Sequence, residues 1–258
     1  MKKDTNTKKK TKIYEKCFKR VLDFSIALIA LIILSPIFLI ISIISLITIG
    51  HPVIFAQYRP GRNGKVFKLY KFRSMSNKKD SNGKLLPDAD RLTTFGKILR
   101  KTGLDELPQL INILKGDMSL IGPRPRLVKD MIFYDEDVMI AYSARPGITC
   151  LSQINGGRSE SSWESIFEKD LEYTQNITFW GDVKILFKTF IAVFKKEGQG
   201  ASAGASTREY YYPDYLLKTG KITKDQYNRG LDTASKIINE RGQVSFQEHL
   251  HKKPKNND

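Results

Sequence analysis

From Phe24 to Gly50 the chain runs 27 positions without a charged residue, interrupted only by Ser, Thr and one proline, Pro36, before the closing glycine. As a helix this run would reach roughly 40 Å, more than the roughly 30 Å hydrocarbon core of a bilayer requires. It is about twice as long as the apolar part of a secretory signal, and Gly50-His51-Pro52 is no small-residue cleavage site, so a retained anchor is expected. Lys2, Lys3, Lys8, Lys9, Lys10, Lys12, Lys16, Lys19 and Arg20 precede the run, and Arg59, Arg62, Lys65, Lys68, Lys71 and Arg73 follow it before the next acid, Asp80. Basic flanks favour the cytoplasmic side, and here both ends qualify. Pro36 removes a helical hydrogen bond, and Ser35 beside it can bond the freed carbonyl. The pattern therefore predicts a re-entrant helix broken at Ser35-Pro36 with both ends on the cytoplasmic face; a kinked transmembrane helix is the alternative.

Beyond the run the pattern changes period. Val53-Ile54-Phe55 and Val66 to Phe72 have strand composition, and the turn-rich Pro60 to Gly64 between them predicts a β-hairpin. "NKKDSNGKLLPDADRL" reads as an exposed loop and "TTFGKILRKTG" as a short basic helix ending at Gly103. Leu104, Leu107, Leu110, Ile111 and Leu114 recur at helical spacing, with Asp105 where an N-cap belongs, Pro108 in the first turn and Gly116 at the C-terminal cap. Val183, Leu186, Phe187, Phe190, Ile191 and Phe194, with Lys184, Lys188, Lys195 and Lys196, form an amphipathic helix suited either to a core or to a membrane interface. "QGASAGAS" has linker composition, two short helices joined near Gly220 follow, and the polar end from Lys252 is expected to be disordered. The fold class is α+β. Its parts are a basic segment 1–20, an apolar helix 21–50, a compact, mostly helical domain with a small hairpin over 51–198, and a linker with a helical extension over 199–258.

Composition narrows the partners. Lys and Arg number 43 against 27 Asp and Glu, a formal charge of +16 in 258 residues, which points to anionic partners: nucleic acid, acidic lipid or a phosphorylated substrate. Cys17 and Cys150 are the only cysteines, with no spacing that suggests a metal site or a disulfide framework, and a reducing compartment fits.

The densest chemistry lies in "LDELPQLINILKGDMSLIGPRPR". An Asp-Glu pair opening a helix can simply cap it and complement its dipole. Arg100, Lys101, Arg124 and Arg126 nearby change the balance, because basic groups around a helix N-terminus make a phosphate site. Neighbouring helical residues point in different directions, so two roles are available: a carboxylate nucleophile toward phosphorus and a carboxylate that holds Mg²⁺ on the same phosphates. In "GPRPR" prolines fix the backbone on each side of Arg124, which suits bidentate phosphate contact.

Taken together, "YEKCFKRVLDF", the apolar run with Ser35-Pro36, "FAQYRPGRNGKVFKLYKFRSM", "LDELPQLINILKGDMSLIGPRP", "ARPGITCLSQING" and "WESIFEKDLEYTQNITFWGDVKILFKTF" resemble, in order, the bacterial sugar transferase family of small monotopic phosphoglycosyl transferases. The resemblance spans about Ile13 to Gly198 and implies a re-entrant helix, a cytoplasmic-membrane location on the cytoplasmic face, and interfacial amphipathic helices. It implies transfer of a phosphosugar from a UDP-sugar to polyprenol (undecaprenyl) phosphate in a surface-glycan pathway, through a covalent aspartyl intermediate. By motif, Asp105 would be the nucleophile, and Asp105 with Glu106 would hold Mg²⁺. Lys71, Arg100, Arg124 and Asp170 would serve the substrate phosphates, and Arg145 and Arg158 the nucleotide. Membrane lipid belongs among the partners, a second copy of the chain is left open, and nucleic acid is not expected.

Two features depart from the family pattern. Cys150 follows "RPGIT" where a small residue is usual, and reads as a structural thiol without a neighbouring base. "NGGRSESSW" is longer than the usual version, which puts the position of Arg158 in question. A catalytically inactive membrane scaffold and a membrane-tethered basic binding protein stay open as rivals.

Overall fold

A computed structural model describes residues 13–154, 162–195 and 211–240. Eleven α-helices are described: α1 (Lys19–Thr48), α2 (Asp88–Arg91), α3 (Thr94–Thr102), α4 (Gln109–Lys115), α5 (Val128–Met131), α6 (Glu136–Ala141), α7 (Leu151–Ile154), α8 (Trp163–Gln175), α9 (Phe179–Lys195), α10 (Tyr212–Lys218) and α11 (Lys224–Asn239). Among these residues the four strands are β1 (Ile54–Pro60), β2 (Val66–Phe72), β3 (Ser119–Ile121) and β4 (Gly147–Thr149). The fold is α+β and mostly helical. β1 and β2 form the expected antiparallel hairpin with Ile54 opposite Phe72 and Pro60 opposite Val66. A second sheet, the parallel pair β3–β4, was not anticipated, because three-residue strands carry too little alternation to register.

The apolar run is one helix rather than two: α1 passes through Ser35-Pro36 without interruption. The physical reason is local. Pro36 has no N–H for the Ile32 carbonyl, and the Ser35 hydroxyl donates to that carbonyl instead at 2.8 Å. The helix also starts earlier than expected, after a π-turn over Tyr14–Phe18. Its buried positions stay in phase across the proline: Ala27 packs with Phe67, Leu69, Leu110 and Ile113, and Ile41 with Phe72 and Leu99. The opposite faces leave Ile29, Ile32, Ile33, Leu39, Ile40, Ile43 and Ile47 exposed.

Both ends of α1 are tied to the same globular body. At the N-terminal end Arg20 donates to the Ile113 and Leu114 carbonyls that end α4, and Asp23 accepts the Leu120 N–H of β3. Lys19 forms a 2.6 Å ion pair with Asp182 of α9, whose carboxylate also accepts the Tyr14 and Tyr173 hydroxyls at 2.8 Å. At the far end the Arg73 guanidinium donates to the Ile49 and His51 carbonyls at 2.7 and 2.6 Å, answering carbonyls that the helix terminus leaves open. α9 itself exposes Trp180, Val183, Phe187 and Phe190 while burying Asp182 and Ile185.

The C-terminal extension is part of the packed body. α10 and α11 turn at Gly220, with φ 70°, and place Tyr212, Ala234 and Ile237 against Met131, Tyr134, Trp163 and Phe167. Gly230 lies against the Phe133 ring so closely that a Cβ there would come within 2.1 Å of it. The expected linker and polar tail fall outside the described residues.

Candidate active site

Four pieces of local structure converge on Asp105 and Glu106. Thr93 caps α3 by accepting the Gly96 N–H, and Gly103, with φ 72°, ends that helix and turns the chain into a 3₁₀ turn over Leu104–Glu106. Gly96 sits hard against the Ser74 carbonyl, where a Cβ would lie 1.9 Å away, so α3 docks on the end of the hairpin strand. Asn112, fully buried in α4, accepts the Tyr70 N–H at 3.0 Å and donates to the Lys68 carbonyl at 2.7 Å. That clip fixes α4 against β2 and so sets the acidic pair beside Lys71. Across the site β3 runs into Gly122, whose N–H bonds Thr149, and the following residues deliver Arg124.

Asp105 does not cap the helix as the pattern suggested. α4 begins at Gln109 with Pro108 as its flanking residue, and no side chain caps it. The Asp105 carboxyl is thus free of the bond that would have explained it structurally. Lys71 Nζ lies 2.7 Å from Glu106 Oε1 and 3.9 Å from Asp105 Oδ2, and an Arg124 nitrogen donates to the same Glu106 oxygen at 2.8 Å. The two carboxylates therefore share one lysine, while Arg124 is committed to Glu106. Burial, reinforced by Glu106, pushes Asp105 above the usual carboxylate range against the opposing pull of Lys71, Arg100 and Arg124. Burial pulls Lys71 down despite Glu106; for Arg124 burial is the largest single influence and pulls downward, but Glu106, Cys150 and Asp105 together offset it and hold the guanidinium up.

The other expected site residues divide. Arg100 donates to the Ser74 hydroxyl at 2.8 Å and its charge bears on Asp105, so it belongs to the cluster. Asp170 is buried on α8, where it accepts the Ser152 hydroxyl at 3.0 Å close enough to Cys150 for its charge to bear on that thiol. Arg145 donates to the Gly116 carbonyl at 3.1 Å, and the charges that bear on it are Arg62, Arg20 and Asp23. Arg158 lies outside the described residues. Cys150 is buried, 3.2 Å from the Ser152 hydroxyl, and burial raises its thiol, which fits the structural reading.

Sequence reasoning passed over Asn112 and counted Arg59 only among the charges flanking the apolar run. An amide in the centre of the apolar "INIL" stretch was the available signal for the first.

This geometry agrees with what the chain resembles in other proteins. Residues 14–196 match the model of the bacterial sugar transferase family. The chain is 47% identical over 180 residues to the uncharacterized sugar transferase EpsL of Bacillus subtilis, covering 70% of this chain and 89% of that protein. It is 38% identical over 197 residues to the undecaprenyl-phosphate galactose phosphotransferase of Salmonella typhimurium, and 41% identical over 187 residues to the UDP-glucose:undecaprenyl-phosphate glucose-1-phosphate transferase of Klebsiella pneumoniae. Those matches cover 70% and 69% of this chain but only 41% and 40% of the two relatives. The chain belongs to the bacterial sugar transferase family, and its class is that of the phosphoglycosyl transferases. α10 and α11 lie beyond the matched stretch.

Proposed function

We propose that the protein moves a phosphosugar from a UDP-sugar to polyprenol phosphate, giving polyprenol diphosphate sugar and UMP. One observation carries this: a buried carboxyl, Asp105, stands uncapped beside a lysine and a glutamate that is clasped by Lys71 and Arg124. A buried acid among cations is held ready for a phosphorylated partner. In the first half-reaction an Asp105 oxygen bonds to the sugar-bearing phosphorus, and the bond from that phosphorus to the bridging oxygen breaks. UMP leaves with the electron pair. In the second, an oxygen of polyprenol phosphate attacks the same phosphorus and releases Asp105 as a carboxylate. Two polyanions would repel in one pocket; the covalent step lets a single basic site serve them in turn. Lys71 and Arg124 neutralise charge on the phosphoryl group as it moves.

The donor set suits Mg²⁺, a hard ion that takes one or two carboxylates and keeps several waters and phosphate oxygens. Among the described residues no third His, Cys, Asp or Glu joins the pair to form a closed cage. Asp105 and Glu106 would hold the ion, which supplies charge neutralisation on the phosphates.

On the same reading α1 lies in the cytoplasmic leaflet of the cytoplasmic membrane, entering and leaving by one face, with Pro36 inside the helix as the point at which it would bend. Arg20 and Asp23 at one end and Arg73 at the other bind one globular body, and the exposed isoleucines on the remaining faces suit lipid. The exposed Trp180, Phe187 and Phe190 of α9 suit the interface beside it. The soluble donor and the lipid-borne acceptor then meet at the boundary.

Purified protein given a panel of UDP-sugars, polyprenol phosphate and Mg²⁺ should release UMP with one of them, and Asp105→Asn should not. UMP release that survives Asp105→Asn rejects the nucleophile, and no release with any donor rejects the reaction.

A further inference from the structure

Two guanidiniums that nothing so far uses sit beside the Glu106–Arg124 pair. Arg59, near the end of β1, donates from one terminal nitrogen to Gln57 at 2.7 Å, while its Nε is sealed from solvent with no hydrogen-bond partner. The charges that bear on it are Arg124, Asp130, Arg126 and Glu106. Burial first, then Arg124, pushes its guanidinium down to about 10, the mark of a cation short of counter-charge. Arg126, two residues beyond Arg124, holds its guanidinium carbon over the Trp163 ring, 5.1 Å from the centroid, and its Nε is likewise buried and unpartnered. The remaining carboxylate whose charge bears on both arginines is Asp130. It spends one oxygen on its own backbone at Leu127, and burial raises it above the ordinary range, which weakens it as a counter-ion.

Gathering cations in a sheltered place without enough acid costs free energy in the empty protein and returns it when a polyanion arrives. The aromatic contact matters too. A guanidinium held over an indole face by a cation–π contact keeps its N–H groups available for donation and loses less freedom on binding. Trp163 is in turn backed by Tyr212 of α10, with ring centroids 5.1 Å apart, so the extension outside the family match completes the shelf. Trp163 also opens α8 just after residues 155–161, on the opposite side of Arg124 in sequence from the Asp105 turn.

We propose that Arg59 and Arg126 form a second phosphate locus beside the Lys71–Glu106–Arg124 centre, taking the phosphate that departs with the nucleoside, with Trp163 and Tyr212 setting its position. This rests on the transfer reaction above: while the sugar-bearing phosphorus faces Asp105, the other phosphate of the donor lies one bridging oxygen away and needs its own cations. Tyr212 acts through Trp163 and is a positioning residue.

The test uses the full chain in detergent. UMP should raise the melting temperature of the native protein and of Asp105→Asn, and uridine, which lacks the phosphate, should not. Arg126→Gln should lose most of the UMP shift and raise the donor KM about tenfold or more, the cost of about one charge-assisted contact, with a smaller change in kcat. Arg126→Lys, which keeps the charge and the apolar stem, should recover part of both, and Tyr212→Ala should raise KM less than Arg126→Gln. An Arg126→Gln protein with native circular dichroism, native UMP shift and native KM overturns the locus. Should that variant fail to fold, an Arg126→Lys protein with native UMP shift and KM does the same. If native protein releases no UMP from any donor yet is stabilised by UMP through Arg126, the locus stands and the reaction falls.

Discussion

Replacing Lys19 with methionine removes the cation paired with Asp182, at a place where both side chains are about nine-tenths buried. Breaking a buried pair from one side typically costs about 3–5 kcal/mol, because a charge is left without compensation. Here Tyr14 and Tyr173 still donate to that carboxylate, each at 2.8 Å, so the loss should fall near the lower end, about 3 kcal/mol. Asp182→Asn alone strands the lysine and should cost about 2 kcal/mol or more, since a flexible ammonium can partly escape to water. The double variant leaves a neutral amide facing two hydroxyls and should be less destabilised than either single change. Denaturant unfolding of the detergent-solubilised protein, followed through Trp180 two positions before Asp182, measures all four corners of the cycle. Losses that simply add in the double variant would refute the claim that this ion pair clamps the start of α1 to α9.

Three further outcomes follow from particular contacts. Asp105 must be ionised to attack phosphorus, and its carboxyl is held above the usual range, so kcat/KM should fall as pH drops through that raised value; Lys71→Met removes a cation that lowers it, and the acid limb of the residual activity should move to higher pH, a limb that stays or moves down contradicting the pairing. Gly230→Ala drives a Cβ to within 2.1 Å of the Phe133 ring, and at about 1–3 kcal/mol for overpacking it should loosen α11, read as faster amide exchange in 224–239 with α3 and α4 unchanged. A maleimide should label exposed Cys17 and leave buried Cys150 unmodified until the protein is denatured, and equal rates would overturn the structural role given to Cys150.

Much of this molecule could be read before any coordinates, for reasons that are local. The hairpin, the capped helix ending at Gly103 and the pair of C-terminal helices turning at Gly220 each carry turn or cap residues that act within a few positions. The cluster of Asp105, Glu106, Lys71, Arg100 and Arg124 was legible as a set of motifs. What placed them together, the buried amide of Asn112 between α4 and β2, was a long-range choice that no periodicity announces. Asp105 as an N-cap was misread because the 3₁₀ turn and Pro108 delay the helix to Gln109. At Pro36 the helix continues where the pattern suggested two separate helices, because Ser35 answers the orphaned carbonyl, a contact between neighbours that periodicity does not show. Arg145 donates to the Gly116 carbonyl, a partner that only the fold reveals.

The most direct measurement is the intact mass of the protein after exposure to its UDP-sugar donor with no acceptor present. The account predicts one added sugar phosphate per chain, attached at Asp105, formed with matching release of UMP and discharged when polyprenol phosphate is supplied. Turnover without any such adduct, or an adduct that persists in Asp105→Asn, would contradict it.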